Sequence, residues 1–583
     1  MRLTHDPYAE QPHPDTSLWT QRVSLSLILW VIIYILATSF TRAAFFGDTR
    51  AYTSSILDFT RGETYHFWED NAFWEFGHLL WRPAGWLAFR ISQPVTSRFV
   101  GSEPRANIAI SLFALNWIAG LLSVVVLNVI LRKLGTRPGP ANLVTLAFLF
   151  SQAFLNFAQT GLAYIPGLLL LLLSLNVLIT GSSGPFSIWL TTLTAGIAFA
   201  GAVCLWFLYV LATPAVAVAP FVFSSPATKN RMRLGLQTCI VAGLLTICTY
   251  ASVLSHLHLY HWRDLHTWIA ASSHGVDNIR GLSRMMFGFA RSFINMGADG
   301  VLYKRFLLHD PYNPVSFAQL FRLSLGKFLL FYSFLICVLV VLLRSQNRNL
   351  LVGLELSAIP VMGFALFWQG GDMERYLPLY PPLFITLSIA VGGNRPPRWF
   401  KSFVLIFVTF VVVNNSFALS KLHLDHRRQL EVNRIAPLQP MLTPGSQVVV
   451  LDQELANLGS DPLHSSVQEE YLPSYTLFVP GTSGVLTWRQ DLATMALSVW
   501  EKGGNILISH SVLDSRPAVN LHWAEGDDRR ISWHDVHGFF SQLEIGESIG
   551  GPDGFELIPA SSNNRTFLQA VVRDKSKHPV VNP

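Results

Sequence analysis

The sequence predicts a multi-spanning α-helical membrane protein of about eleven transmembrane helices with a small C-terminal α/β domain outside the cytoplasm. Three observations lead there. Of 583 residues, 51% are hydrophobic and only 13% charged, whereas soluble domains carry about 25% charged residues. Apolar runs long enough to cross about 30 Å of hydrocarbon recur from residue 23 to residue 420. After Leu422 the composition changes, and Asp, Glu, Gly, Pro and Asn appear as they do in soluble domains.

Residues 1–22 form a polar N-terminal tail. The first apolar run, 23–45, is longer than the roughly 7–15 residues of a signal-peptide core and has no small-residue cleavage site, so it reads as a retained span. Further spans are expected at 106–131, 141–158, 162–180, 187–204, 206–223, 234–257, 323–343, 350–368, 377–393 and 402–420. Two of them meet at Leu205-Trp206 with almost no loop. Residues 23–422 thus form one transmembrane domain with long loops at 46–105 and 258–322, and 423–583 form the C-terminal domain.

Short loops orient the chain. Arg132, Lys133 and Arg137, then Lys229, Arg231 and Arg233, then Arg344 and Arg348, then Arg395, Arg398 and Lys401 all fall on one side. The positive-inside rule makes that side cytoplasmic. Of the opposite short loops, only 369–376 carries a base, Arg375. The N-terminus is then cytoplasmic, and both long loops, the 369–376 turn and the C-terminal domain lie outside, as in a multi-pass protein of the inner (plasma) membrane.

Within 258–322, segments 280–295 and 303–321 have amphipathic spacing. They are expected either on the membrane interface, burying Met285, Phe289 and Phe293 there, or in a packed loop. In the C-terminal domain, strands are expected at 446–452, 475–479, 505–509, 555–558 and 566–572. A helix at 491–502 should stop at Gly503-Gly504. No Gly-rich phosphate loop opens a helix there.

Some functions are disfavoured. The net charge of +6 is accounted for by the cytoplasmic Lys and Arg, and no basic run interleaved with aromatics suggests nucleic acid. Cys204, Cys239, Cys248 and Cys337 all sit in apolar runs without metal-knuckle spacing and read as small buried hydrophobes. His256, His258 and His261 are close together but have no acid or Cys pattern beside them.

Three outside-facing stretches carry the candidate chemistry. The first is Asp48, where the chain leaves the first span; it is a candidate reacting group or the N-cap of a helix starting at Thr49. The second is Glu69, Asp70, Glu75 and His78, with Trp81, Arg82 and Pro83. His78 and Arg82 are candidate substrate contacts, although Trp81, Arg82 and Trp86 also suit an interfacial belt. The third is the turn Asp372, Met373, Glu374, Arg375, Tyr376, in which Glu374, Arg375 and Tyr376 are candidate substrate contacts. A carboxylate at a membrane surface can take a proton or hold a cation, and a guanidinium can grip a phosphate. That pairing suits transfer of a group from a lipid phosphate to a hydroxyl.

The Gly47-Asp48 pair, the His-x-x-x-Arg-Pro stretch from His78 to Pro83, and the late Glu-Arg-Tyr-Leu-Pro-Leu-Tyr-Pro turn from Glu374 resemble the glycosyltransferase C superfamily. The branch most similar contains protein O-mannosyltransferases and the lipid A aminoarabinose transferase, and the resemblance covers about the first 420 residues. It implies a polyprenyl-phosphate-linked sugar as donor and an extracytoplasmic glycan, lipid or protein as acceptor, with membrane lipids around both. It makes Asp48 the catalytic carboxylate, with Glu69 and Asp70 supporting it through the acceptor or a divalent metal ion, and Arg375 the contact to lipid phosphate. This chain has Thr49 where several members have a second acid, and four residues separate His78 from Pro83. A transporter or flippase of a lipid-linked or amphiphilic solute is the alternative. It calls for charges spread through mid-span positions and a repeat between halves, and neither is seen.

Overall fold

A computed structural model describes residues 16–63, 72–101, 103–180, 185–223, 230–272, 281–297, 301–307, 315–344, 348–392, 397–424, 447–450, 475–478, 487–513, 533–549 and 554–574. The transmembrane part comprises α1 (Thr16–Phe40), α2 (Thr49–Thr60), α3 (Trp81–Val100), α4 (Pro104–Lys133), α5 (Pro138–Leu149), α6 (Gln152–Phe157), α7 (Tyr164–Thr180) and α8 (Pro185–Leu205). A 3-10 turn, Phe207–Ala212, runs into α9 (Thr213–Val222). Then come α10 (Asn230–His256), α11 (Trp262–Ala271), α12 (Leu282–Phe293), α13 (Val301–Leu307) and α14 (Phe317–Leu320). After a π-turn follow α15 (Gly326–Arg344), α16 (Arg348–Phe367), a second 3-10 turn (Met373–Leu379), α17 (Tyr380–Gly392) and α18 (Arg398–Ala418).

Among the described residues six helices are long and apolar enough to cross a bilayer, and the apolar helices Ser26–Phe40, Tyr164–Ile179 and Phe207–Val222 are shorter. The expected spans at 141–158 and 377–393 are composite. The first breaks between α5 and α6, and the second begins as a 3-10 turn. Outward faces are apolar: Ile240, Leu244 and Ile247 on α10, and Leu405, Ile406 and Val413 on α18 are exposed, as lipid-facing residues must be. Cys248, expected to be buried, is on such a face, because a thiol is apolar enough to meet lipid.

Contacts join helix ends and loops far apart in sequence. At one end Thr41 bridges Ser420, and Leu80 and Gly77 bond to the backbone around Leu205. At the other, Ser388 bonds Thr136 at 3.1 Å and Gly353 packs on Val222.

Three expectations change in the loops. Part of loop 46–105 is helical, as α2 and α3. The α12 segment does not lie on the interface: Phe289 and Phe293 are buried in the bundle against Phe331, Tyr376 and Tyr380. Trp81 and Arg82 are also buried and form no belt, because Trp81 Nε1 donates to the Gly161 carbonyl at 2.9 Å and Arg82 has an acid partner.

The C-terminal part has its own core. Its sheet has strands β1 (Gln447–Val450), β2 (Tyr475–Phe478), β3 (Asn505–Ser509), β4 (Ser548–Ile549) and β5 (Phe555–Ile558) in the order β2-β1-β3-β5-β4. β2, β1 and β3 run parallel, while β5 is antiparallel to β3 and to β4. Helices α19 (Trp488–Glu501), α20 (His510–Leu513), α21 (Trp533–Phe540) and α22 (Ser562–Asp574) accompany it. The strand expected at 566–572 is therefore helical. Ser561 Oγ accepts from the Asn564 amide and caps α22, and Asn564 and Leu568 are buried one turn apart.

The turn before the 3-10 segment is fixed by glycine. A Cβ on Gly288 of α12 would sit 1.9 Å from the Gly370 carbonyl oxygen. Gly288→Ala must push α12 off the turn, and is expected to cost about 1–3 kcal/mol. Thermal unfolding in detergent checks this; an unchanged melting temperature would remove the close approach.

Candidate functional site

Asp48, beyond the C-terminal end of α1, is held by its neighbours. Asn156 Oδ1 accepts from the Ala44 and Phe45 amides at 2.9 and 3.1 Å, and its Nδ2 donates to the Phe45 carbonyl at 2.7 Å. Gly47 takes φ +52°, a left-handed turn that suits glycine. Thr49 Oγ1 donates to the Phe46 carbonyl and accepts from the Gly161 amide. Asp48 stands at the N-cap of α2, and its carbonyl accepts from Tyr52 at 2.9 Å. Its carboxylate makes no capping bond. A side chain that usually stabilises a helix by about 1 kcal/mol is left half-buried and uncommitted.

The second stretch forms a buried charged cluster. Glu75 Oε1 lies 3.1 Å from His78 Nδ1, and Oε2 lies 2.9 Å from Arg82 Nη1. Arg82 also donates to the Ala72 carbonyl and stacks over Tyr52. An ionised carboxylate only accepts, so Nδ1 carries the imidazole proton, and Tyr52 Oη, also 3.1 Å from Nδ1, faces that same N–H. Among the described residues, His78 Nε2 is buried without a hydrogen-bond partner. The loop is pinned into the gap between α8 and the first 3-10 turn. The Leu80 amide donates to the Cys204 carbonyl, and the Phe207 amide donates to the Gly77 carbonyl, both at 2.9 Å. Glu69 and Asp70 lie outside the described residues.

The third stretch presents Arg375. Its Nη2 donates to Gln369 Oε1 at 2.6 Å and lies 3.5 Å from Asp372 Oδ2, while Nε is 3.9 Å from Glu374 Oε1. Gln369 adopts φ +45°, a costly conformation for a residue with a side chain, and one that recurs at functional sites. Tyr376 is fully buried. Its hydroxyl lies between the Met285 and Gly370 carbonyls at 2.7 and 2.6 Å, so it supports the turn from beneath. Burial pushes the Glu374 carboxyl up to about 7, Asp372 adds to the rise, and Arg375 opposes it. Burial by itself would lower the Arg375 pKa, but the Glu374 and Asp372 charges outweigh it and raise it.

Tyr164, at the start of α7, packs beside the second stretch. Its ring is 6.1 Å from that of His78 and 4.5 Å from that of Trp206. Sequence reasoning missed it. The available signal was a lone tyrosine opening an apolar span at the outer face, just after Gly161. Among the described residues no three His, Cys, Asp or Glu side chains gather to hold a metal. Glu69 and Asp70, the acids expected to hold a divalent ion, lie outside the described residues, and the two acids of the turn lie against Arg375, itself a cation.

No protein-family model matches the chain, and no curated protein matches it. Among solved structures it is similar to ArnT from Cupriavidus metallidurans bound to undecaprenyl phosphate, at 12% identity and a TM-score of 0.48, covering 88% of this chain and 97% of that one. The apo state of ArnT matches at 11% and 0.49, covering 95% and 99%. The S. cerevisiae protein O-mannosyltransferase Pmt1-Pmt2 complex bound to the sugar donor matches at 11% and 0.31, covering 47% and 37%. ArnT is a lipid A aminoarabinose transferase, so both kinds of protein that the motifs resemble are among these structures. With identities this low and TM-scores below 0.5, the roles assigned below rest on this chain's own residues.

Glu374 gives a pH dependence. Its folded-state pKa, about 7, lies above its ordinary 4.5. The proton therefore stabilises the fold fully below 4.5, and that stability is lost as pH rises through 7. Between about pH 5 and about pH 8 the wild-type melting temperature should fall relative to that of Glu374→Gln. Parallel curves would contradict the burial of this acid.

Proposed function

We propose that the protein is a membrane glycosyltransferase that moves a sugar from a polyprenyl-phosphate-linked donor, hexosyl or pentosyl, to an acceptor outside the cytoplasm. One observation carries the reading: the Asp48 carboxylate, at the head of α2, makes no capping bond, so a carboxylate is left for chemistry in a fold whose other candidate group, the Arg375 guanidinium, is held among acids in the turn before α17. Asp48 takes the acceptor hydroxyl's proton as its oxygen bonds to the anomeric carbon. The bond from that carbon to the phosphate oxygen breaks, and its electron pair leaves on the phosphate. Arg375 neutralises that phosphate. Direct displacement inverts the anomeric carbon.

His78 and Arg82, with Glu75, hold the first loop's wall of the site, and Glu374 and Tyr376 set the Arg375 turn. Glu69 and Asp70 support Asp48 on the acceptor side. The site faces the outer leaflet of the inner membrane, and the 423–583 domain shapes acceptor access or binds a partner. The distribution of buried charge favours an enzyme over a transporter. Among the described residues, the buried acids, bases and histidine are Glu75, His78, Arg82 and Glu374, all from the outer loop segments or the first turn of α3.

Asp48→Asn should cut transfer by roughly 10²–10⁴-fold, the usual contribution of a positioned base, at an unchanged melting temperature. The assay follows sugar transfer in membranes with a panel of polyprenyl-phosphate-linked hexoses and pentoses. Wild-type turnover by Asp48→Asn would remove the assignment.

A further inference from the structure

The lipid-facing stripe of α10, with Ile240, Leu244 and Ile247, runs on to Ala251 and there meets exposed polar residues, Ser252, Ser255 and His256. Hydrocarbon therefore gives way to headgroups near Ser255, about 6 Å beyond Ala251 along the helix. α10 closes at His258, whose φ of +57° turns the chain back. The His258 amide donates to the Ser255 carbonyl at 3.2 Å, and the Leu259 amide to the Leu254 carbonyl at 3.0 Å. Tyr260 then folds against the turn it has just left. Its hydroxyl donates to the Ser255 carbonyl at 3.4 Å and lies 3.4 Å from His258 Nδ1. The residue is nevertheless 69% exposed. A phenol with an open ring is thus fixed at the level where the headgroups begin.

Helix α11 continues that open face. Leu265 and Trp268 turn inward onto the first loop, whereas Trp262 and Ile269, on the same apolar stripe, do not: Trp262 is 76% exposed and Ile269 40%. Arg263 and His266 flank the open half and are exposed as well. The inward half holds the loop that carries Glu75 and His78. Trp268 Nε1 donates to the Trp74 carbonyl at 2.8 Å, and the Gly77 amide donates to Ser272 Oγ, just past α11, at 3.0 Å. From α10, Tyr250 Oη donates to the Phe76 carbonyl at 2.7 Å. One helix is therefore bonded to that loop on one side and presents an apolar, uncovered face on the other.

We propose that α11 rests on the bilayer interface at the Asp48 side of the bundle, through Tyr260, Trp262 and Ile269, and that this contact with lipid holds the loop carrying Glu75 and His78. Lipid is the occupant because the open face continues the lipid-facing side of α10, and because Tyr260 is bonded at the edge of that side. Indole and phenol rings suit this level, where one edge meets water and the rest meets acyl chains. Arg263 and His266 reach from the same helix toward headgroups and water. The helix then acts as a strut. Its bonds to Trp74 and Gly77 set the height of Glu75 and His78 relative to the membrane surface.

The test places a bimane probe on the full-length chain in phosphatidylcholine nanodiscs, through Trp262→Cys, Ile269→Cys or Arg263→Cys, with Cys204, Cys239, Cys248 and Cys337 replaced by Ala. Lipids carrying a nitroxide near the headgroup should quench the probes at positions 262 and 269 about twofold more than the probe at position 263, and aqueous iodide should show the reverse order. Ile269→Cys keeps the Trp262 indole in place. A second measurement reads the loop. In a Tyr260→Ser/Trp262→Ser variant, amide hydrogen exchange at 74–78 should quicken about tenfold over wild type in the same nanodiscs, with exchange in α4 unchanged. Iodide quenching at positions 262 and 269 as strong as at 263, without quenching by lipid, overturns the proposal and makes this face a surface for a glycan or a protein. Exchange at 74–78 that is unchanged, or that rises only together with α4, also overturns it.

Discussion

Backbone that leaves a helix at the edge of a bilayer has no water to satisfy it and must find partners within the protein. At the end of the bundle that carries Asp48 several such segments satisfy one another. The first loop fills the gap after α8 through Leu80 and Gly77, and Asn156 takes up the backbone leading to Asp48. Asn415 donates to the carbonyls of Phe150, where α5 breaks, and Phe293, where α12 ends. The Asn295 amide donates to its oxygen. Each of these bonds joins segments far apart in sequence, so the outer face is a network of mutually dependent loops.

This network places charge where a membrane protein can tolerate it. Glu75 sits between His78 and Arg82, and Arg375 among Gln369, Asp372 and Glu374. Buried charges that are paired and hydrogen-bonded avoid most of the penalty of desolvation, whereas lone ones do not. Against that background the Asp48 carboxylate, which has no hydrogen-bond partner among the described residues, stands out as available for chemistry. The φ of Gln369 and the close backbone approach of Gly288 to Gly370 shape the Arg375 turn.

How far the sequence could be read depended on the length scale of the signal. Long apolar runs and the Lys and Arg of short loops placed the spans, and alternation with Gly stops placed β3 and most of α19. Long-range pairing left no local trace. Arg82 beside Trp81 and Trp86 reads as an interfacial belt until Glu75, seven residues away, takes its charge. Phe289 and Phe293 fit a lipid-facing stripe as well as they fit the core that receives them. The residues 566–572 are rich in β-branched side chains, but the Ser561 cap and the buried Asn564 and Leu568 favour α22. Tyr164 gives only a faint signal in one dimension, a lone tyrosine opening an apolar span, because its neighbours His78 and Trp206 come from distant segments.

The central claim is that Asp48 and Arg375 border one accessible crevice at the outer edge. It is tested most directly by an Asp48→Cys/Arg375→Cys double variant, with Cys204, Cys239, Cys248 and Cys337 replaced by Ala. The variant is treated from outside with a bismaleimide of about 10–15 Å, the reach of a sugar-phosphate in an ordinary pocket. The account predicts intramolecular cross-linking at high yield. Full single labelling at each position without bridging would place the two residues on separate surfaces and contradict it.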